Sequence, residues 1–172
     1  MEKFKNNIRK AFEDFRWNDL SSNPRNIAIL AGGITVSVLG LWATKKLLLG
    51  SSAPKNDSWE SHVLGNSTLE QLSDRLWFIR GDGMGLKNWR NMVIYKMNNG
   101  GLLIHSAIAL TETEQKKVEA LGPIEVLIVP SAMHRMDAGV YKKRYPNIKV
   151  VCRKESRKAI EEVVAVDYDA EQ

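Results

Sequence analysis

The sequence predicts a membrane-anchored α/β protein, and three observations support this fold class. Residues 26–44 contain no charged residue over 19 positions. Residues 50–58 are small and polar and include a proline, which is typical of a linker. From Leu76 onward, patterns typical of strands and of helices alternate, as in an α/β domain. The predicted parts are an amphipathic helix over 1–22, a transmembrane helix over 26–46, a linker over 50–68 and an α/β domain over 69–172.

The amino-terminal segment has apolar residues at the spacing of one helical face. Phe4, Ile8, Phe12 and Phe15 recur at intervals of four, four and three residues. Such a helix could lie in the interface of a membrane or pack on the protein's own domain, and the sequence favours neither interpretation.

The uncharged run has the length and the flanks of a membrane span. At 1.5 Å per residue, 19 helical residues extend over roughly 28 Å, about the hydrocarbon thickness of a bilayer. Trp42 precedes Lys45 and Lys46, an order suited to the boundary between lipid and water. We therefore expect a single-pass membrane protein, with a buried helix of a soluble protein as the alternative. The flanking charges fix neither its orientation nor its compartment.

The domain begins with strand patterns and continues with alternating helices and strands. The segment 98–101, Asn-Asn-Gly-Gly, predicts a tight turn because Asn and Gly accept positive φ angles. Thr111 and Glu114 have the spacing of a capping box, which predicts a helix from there to Leu121. The predicted strands are 76–79, 91–97, 102–106, 125–129 and 148–152, and the predicted helices are 111–121, 137–145 and 159–164.

Composition and charge exclude several classes of function. The net charge is +5, but residues 1–49 alone carry +4, beside the predicted span. We therefore expect a lipid bilayer rather than a nucleic acid as the partner, and the basic residues between 142 and 158 to form a solvated face. The single cysteine, Cys152, excludes an internal disulfide and a cysteine-built zinc site.

Several short segments together resemble an uncharacterised domain-of-unknown-function family, DUF4336, which is itself similar to a distant branch of the metallo-β-lactamase fold. The resemblance covers about residues 76–160. It implies a partial metallo-β-lactamase-like β/α half-sandwich. The segments are Leu76-Trp77, Arg90-Asn91-Met92-Val93, Asn99-Gly100-Gly101-Leu102, His105-Ser106, Leu121-Gly122-Pro123, Val129-Pro130, His134 and Tyr145-Pro146.

The resemblance also implies where a metal would bind. Metallo-β-lactamase-like hydrolases hold zinc or iron with a His-x-His-x-Asp-His cluster after a buried strand. If Asp137 corresponds to the cluster's aspartate, Met133, Arg135 and Ala138 occupy its histidine positions. We therefore expect no cofactor and no metal-dependent catalysis. His134 and Asp137 are the candidate catalytic or metal-binding residues, with zinc or iron as the alternative cofactor.

The length after Leu76 suggests about one half of the metallo-β-lactamase fold, which would leave one sheet face open. We expect a second copy or a partner subunit to cover that face. The leading interpretation is a membrane-anchored domain that acts by binding. The alternatives are a metal-dependent hydrolase completed by a partner subunit and a membrane scaffold that binds anionic lipid or an acidic partner.

Overall fold

The computed structural model describes residues 57–170, which form a seven-stranded mixed sheet with helices. The strands are β1 (Glu70–Ser73), β2 (Leu76–Gly83), β3 (Leu86–Lys96), β4 (Leu102–His105), β5 (Ile124–Val129), β6 (Lys149–Cys152) and β7 (Tyr168–Asp169). The α-helices are α1 (Trp59–His62), α2 (Glu112–Leu121), α3 (Ala138–Arg144) and α4 (Arg157–Ile160), and 3₁₀ turns cover Ala132–His134 and Lys154–Ser156.

The strands lie in the sheet in their sequence order. β1 to β4 form an antiparallel meander, and β4 to β7 pair in parallel. The predicted hairpin is confirmed as β3 and β4, and Gly100 in its turn has a φ of 85°. α2 connects β4 to β5, and α3 connects β5 to β6, because parallel neighbours require a crossover.

Each face of the sheet carries an apolar cluster. On the first face, Val118 of α2, Tyr141 of α3 and Ile160 of α4 pack against strand residues such as Ile104 and Leu127. The second cluster consists of strand residues and their immediate neighbours, and no helix within residues 57–170 contributes to it. Its fully buried centre is Val126, and its other buried members are Leu76, Tyr95, Met97, Leu103 and Val151.

The capping-box prediction is wrong at the atomic level, although the helix it marks is present. The side chain of Thr111 makes no capping hydrogen bond to α2. Glu114 instead accepts a hydrogen bond from the Leu69 backbone N–H at 2.9 Å and pairs with Lys117. The Glu114 carboxylate therefore binds the Leu69 N–H, which is distant in sequence, and does not complete the local capping box.

The start of the described chain, which the sequence suggested was linker, packs on the domain. Trp59 of α1 donates from Nε1 to the Leu110 carbonyl at 2.9 Å and lies 5.0 Å from the Tyr141 ring. The guanidinium of Arg144 lies over the Trp59 ring at 4.6 Å. Residues after Asp57 are thus fixed to α3.

The predicted amphipathic helix and transmembrane helix, 1–22 and 26–46, lie outside the described residues. Within residues 57–170, every helix is too short or too polar to cross a membrane.

Several loops meet at one end of the sheet. The β2–β3 turn, the end of β4 at His105 and the end of β5 at Val129 lie there, because β4 and β5 run parallel to each other and antiparallel to β3. We call this the carboxyl edge. Ligand sites in α/β sheets lie at such edges.

Candidate functional site

The centre of the carboxyl edge is a buried carboxylate. Asp137 is 2% exposed and precedes α3. Its Oδ2 accepts hydrogen bonds from Arg90 Nη1 at 2.5 Å and from the Ala109 backbone N–H at 2.8 Å. Its Oδ1 lies 3.0 Å from His62 Nδ1. Both oxygens of Asp137 are therefore engaged.

Three separate parts of the chain meet at this carboxylate. Arg90 comes from β3, and its Nε also donates to the Asp82 carbonyl at 2.9 Å, which fixes the guanidinium across the β2–β3 hairpin. His62 is the last residue of α1, and Ala109 lies between β4 and α2. Asp137 consequently joins the β2–β3 hairpin, the amino-terminal segment and the connection between β4 and α2.

The pKa of His62 is raised by its neighbours in this cluster. The hydrogen bond and the negative charge of Asp137 raise the pKa of His62, and Asp57, 3.0 Å from its Nε2, acts in the same direction. The Lys143 ammonium pairs with Asp57 and lowers the pKa of that carboxyl. A chain of polar contacts thus runs from Arg90 through Asp137, His62 and Asp57 to Lys143.

His134 lies nearby in the loop after β5 but has a different partner. Its Nδ1 is 2.8 Å from the Ser131 Oγ, and Ser131 also accepts from the Met133 backbone N–H at 3.3 Å. Burial lowers the pKa of His134 below its usual value, which favours the neutral imidazole. Within the described chain, no hydrogen bond or ion pair joins His134 to Asp137, although both were candidates for one site.

His105 ends β4 at the same edge. Burial and the neighbouring His134 lower the pKa of His105 to about 4. Both imidazoles are therefore neutral at neutral pH. The chain then turns sharply, with Ser106 at a φ of 59°, while the Ser106 backbone N–H donates to the Ile128 carbonyl at 3.0 Å.

The residues around Asp137 do not fit the metal site that the resemblance implies. A guanidinium on Asp137 places a fixed positive charge where a cation would bind, and Arg cannot deprotonate to become a ligand. Arg135, at a histidine position of the cluster, donates to the Ala159 carbonyl and to Glu162 at 2.7 Å. Among the residues that the structure describes, no three His, Cys, Asp or Glu side chains are grouped as a metal site.

Sequence reasoning identified Asp137 but not its partners. Arg90 lay just before the predicted strand 91–97 and was named only in a segment of the resemblance, although β3 extends over Leu86–Lys96. His62 lay in the expected linker, and no local signal relates it to a residue 75 positions later. Cys152 is buried at the end of β6, and its pKa is raised by burial, as expected of a core residue rather than a nucleophile.

Comparisons with known proteins return solved structures only. No family model and no curated protein matches the sequence, so the resemblance to the uncharacterised family stays a prediction. Similar solved structures include the metallo-β-lactamase FIM-1 from Pseudomonas aeruginosa in its mono-zinc form. That chain is 15% identical, with a TM-score of 0.45, and the match covers 59% of this chain and 49% of that one.

Two structures of DIM-1 metallo-β-lactamase give similar values. The structure exposed to ceftazidime is 15% identical, with a TM-score of 0.44 and coverage of 59% of this chain and 50% of that one. The other is 13% identical, with a TM-score of 0.47 and coverage of 61% and 52%. The chain thus spans about half the length of the solved structures it matches.

Proposed function

We propose that this chain is a single-pass membrane-anchored α/β domain that acts by binding and not by metal-dependent hydrolysis. The predicted transmembrane helix, residues 26–46, forms the anchor in this proposal, and the sheet with its carboxyl edge forms the binding domain. The bonding of Asp137 supports the absence of metal-dependent hydrolysis, and the uncharged run 26–44 supports the anchor.

Asp137 is a structural residue in this arrangement. Its two oxygens receive three donors, one of them a guanidinium that is itself only 13% exposed. Replacing those donors with a metal ion would leave the Arg90 charge buried without its partner. Such a loss is strongly unfavourable, because a buried charge without a counter-charge costs several kcal/mol.

Metal content tests the catalytic half of the proposal. The full chain, purified after growth with added zinc and iron, is expected to contain either metal far below one equivalent. His134→Ala should leave that content unchanged, as should the control Asn147→Ala at an exposed position distant from the loop. Stoichiometric metal that His134→Ala abolishes, while Asn147→Ala retains it, would overturn the proposal.

One observation favours a metal-dependent hydrolase completed by a partner subunit. His105 and His134 are both neutral at neutral pH because of burial, and neutral imidazoles are the form that ligates metals. The same measurement decides between the two functions. The hydrolase requires His134-dependent metal, whereas the binding domain does not.

Alkaline carbonate extraction tests the membrane anchor. The full chain should stay with the membrane pellet, because a transmembrane helix is not released when peripheral contacts are broken. Leu39→Arg in the middle of the uncharged run should weaken retention, and Ser51→Arg in the predicted linker should not. Complete release of the unmodified chain into the supernatant would exclude the anchor.

A further inference from the structure

Most of the exposed large apolar side chains within residues 57–170 lie at the carboxyl edge. Seven such residues are between 40% and 52% exposed; six lie at this edge, and the seventh, Val163, follows α4. The six are Leu64, Met84, Leu86, Trp89, Met133 and Met136.

Hydrogen bonds hold the segments that carry these residues at one end of the sheet. Met84 and Leu86 lie at the β2–β3 turn, where Gly83 pairs with Leu86. Leu64 adjoins them, because the carbonyl of the next residue accepts from the Asp82 backbone N–H at 2.9 Å. Arg90 of β3 pairs with Asp137, so the ion pair fastens the hairpin to the loop that carries Met133 and Met136.

The described chain begins beside α3 and reaches this edge at His62. Asp57, the first described residue, bonds to His62 and pairs with Lys143 of α3, and His62 bonds to Asp137 at the centre of the edge. Residues 45–56 connect the uncharged run to Asp57, and twelve residues span at most about 40 Å when fully extended. An anchor at 26–46 would therefore keep the carboxyl edge within reach of the bilayer.

We propose that the carboxyl edge docks on the lipid bilayer that holds the anchor, with the β2–β3 turn entering the interfacial layer. The inference rests on the membrane anchor of the proposed function. Tryptophan with methionine and leucine suits the interfacial layer, where an indole is favoured, and the exposed Lys87 can reach lipid phosphates. The lipid surface thus covers apolar area that water would otherwise contact.

Fluorescent labelling at single cysteines tests the docking on the full chain in phosphatidylcholine vesicles. In a Cys152→Ala background, an environment-sensitive dye is attached at Leu86→Cys, at Met133→Cys and, as a control, at Asn147→Cys on the opposite edge. The dyes at 86 and 133 should emit at shorter wavelength and lose emission when the lipids carry a spin-label quencher. The dye at 147 should do neither.

A variant with two charged residues at the carboxyl edge provides a second test of the docking. Leu86→Asp with Trp89→Asp should abolish the quenching at 133, while carbonate resistance and the far-ultraviolet circular dichroism of the chain stay unchanged. If this double variant loses its circular dichroism signal, Leu86→Asp alone, on the exposed turn, is measured in its place.

Two results would overturn the docking. Dyes at 86 and 133 that behave as in water, in a chain that resists carbonate, would remove the inference and leave the anchor intact. A wavelength shift at 86 that lipid quenchers do not affect would show that protein, such as a second copy of this chain, covers the edge. Release of the chain by carbonate would instead contradict the anchor itself.

Discussion

At the scale of single residues, one buried carboxylate with three donors holds the carboxyl edge together. Asp137, Arg90 and His62 come from three parts of the chain that no local pattern relates. A buried ion pair adds little net stability over an apolar replacement, but removal of one partner leaves an uncompensated charge. The cluster therefore makes the carboxyl edge sensitive to substitution.

Removal of Arg90 tests this sensitivity. Arg90→Met should lower the free energy of unfolding by about 3 kcal/mol, because the Asp137 carboxylate stays buried without its cation. Arg153→Met is the control, since Arg153 pairs with Glu155 on an exposed surface and should cost less than about 1 kcal/mol. Urea unfolding measures both. Equal effects would show that the Arg90–Asp137 pair has no special energetic role.

The pH dependence of His62 has a definite sign. Its pKa is higher in the folded protein than in the unfolded chain, so its stabilising contribution is complete below about pH 6.5. That contribution is lost as the pH rises through the folded pKa. Unfolding free energies measured from pH 6 upward should fall in the unmodified chain, and His62→Gln should remove that part of the fall. An unaltered slope in His62→Gln would contradict the assignment.

His105 acts in the opposite direction and in another pH range. Because its folded pKa is about 4, the unfolded chain binds the proton first as the pH falls below about 6.5. Stability should therefore fall between pH 6.5 and pH 4, by about 3 kcal/mol. His105→Phe should flatten this acid limb, as thermal unfolding at each pH can show. A steeper fall of stability with decreasing pH in His105→Phe would contradict the claim that the His105 imidazole is buried and neutral.

At the scale of elements, local patterns predicted the central strands and α2 but not the edges of the sheet. Strands β2 to β6 are rich in branched and aromatic residues, which favour strands wherever they lie. β1 and β7 have two to four residues and form only because a neighbouring strand offers hydrogen-bond partners. Such edge strands are set by tertiary context, which a local pattern does not contain.

The two residues of the predicted capping box should differ in their contributions. Thr111→Ala should cost less than the ~1 kcal/mol of a working cap, because the Thr111 side chain makes no capping hydrogen bond. Glu114→Ala should cost about 1–3 kcal/mol, because the Leu69 N–H loses its acceptor. Thermal unfolding of both variants compares them. A larger loss of stability in Thr111→Ala than in Glu114→Ala would show that the capping box is formed.

At the scale of the whole molecule, the site was harder to predict than the fold. The carboxyl edge follows from strand order, so the sequence could place His105, His134 and Asp137 at one end of the sheet. Which of them share hydrogen bonds depends on side chains from α1 and β3 that approach from elsewhere. His62 and Arg90 therefore entered only with the structure, and they changed the interpretation of Asp137 from a candidate ligand to a tie between segments.

Titration of zinc into the full chain by isothermal calorimetry tests the central claim most directly. We expect weak heats of binding without saturation, because Asp137 is already bound by Arg90, His62 and the Ala109 N–H. The variants His134→Ala and Asp137→Asn should give the same heats. Saturable binding of one zinc ion per chain, abolished by either substitution, would contradict that claim.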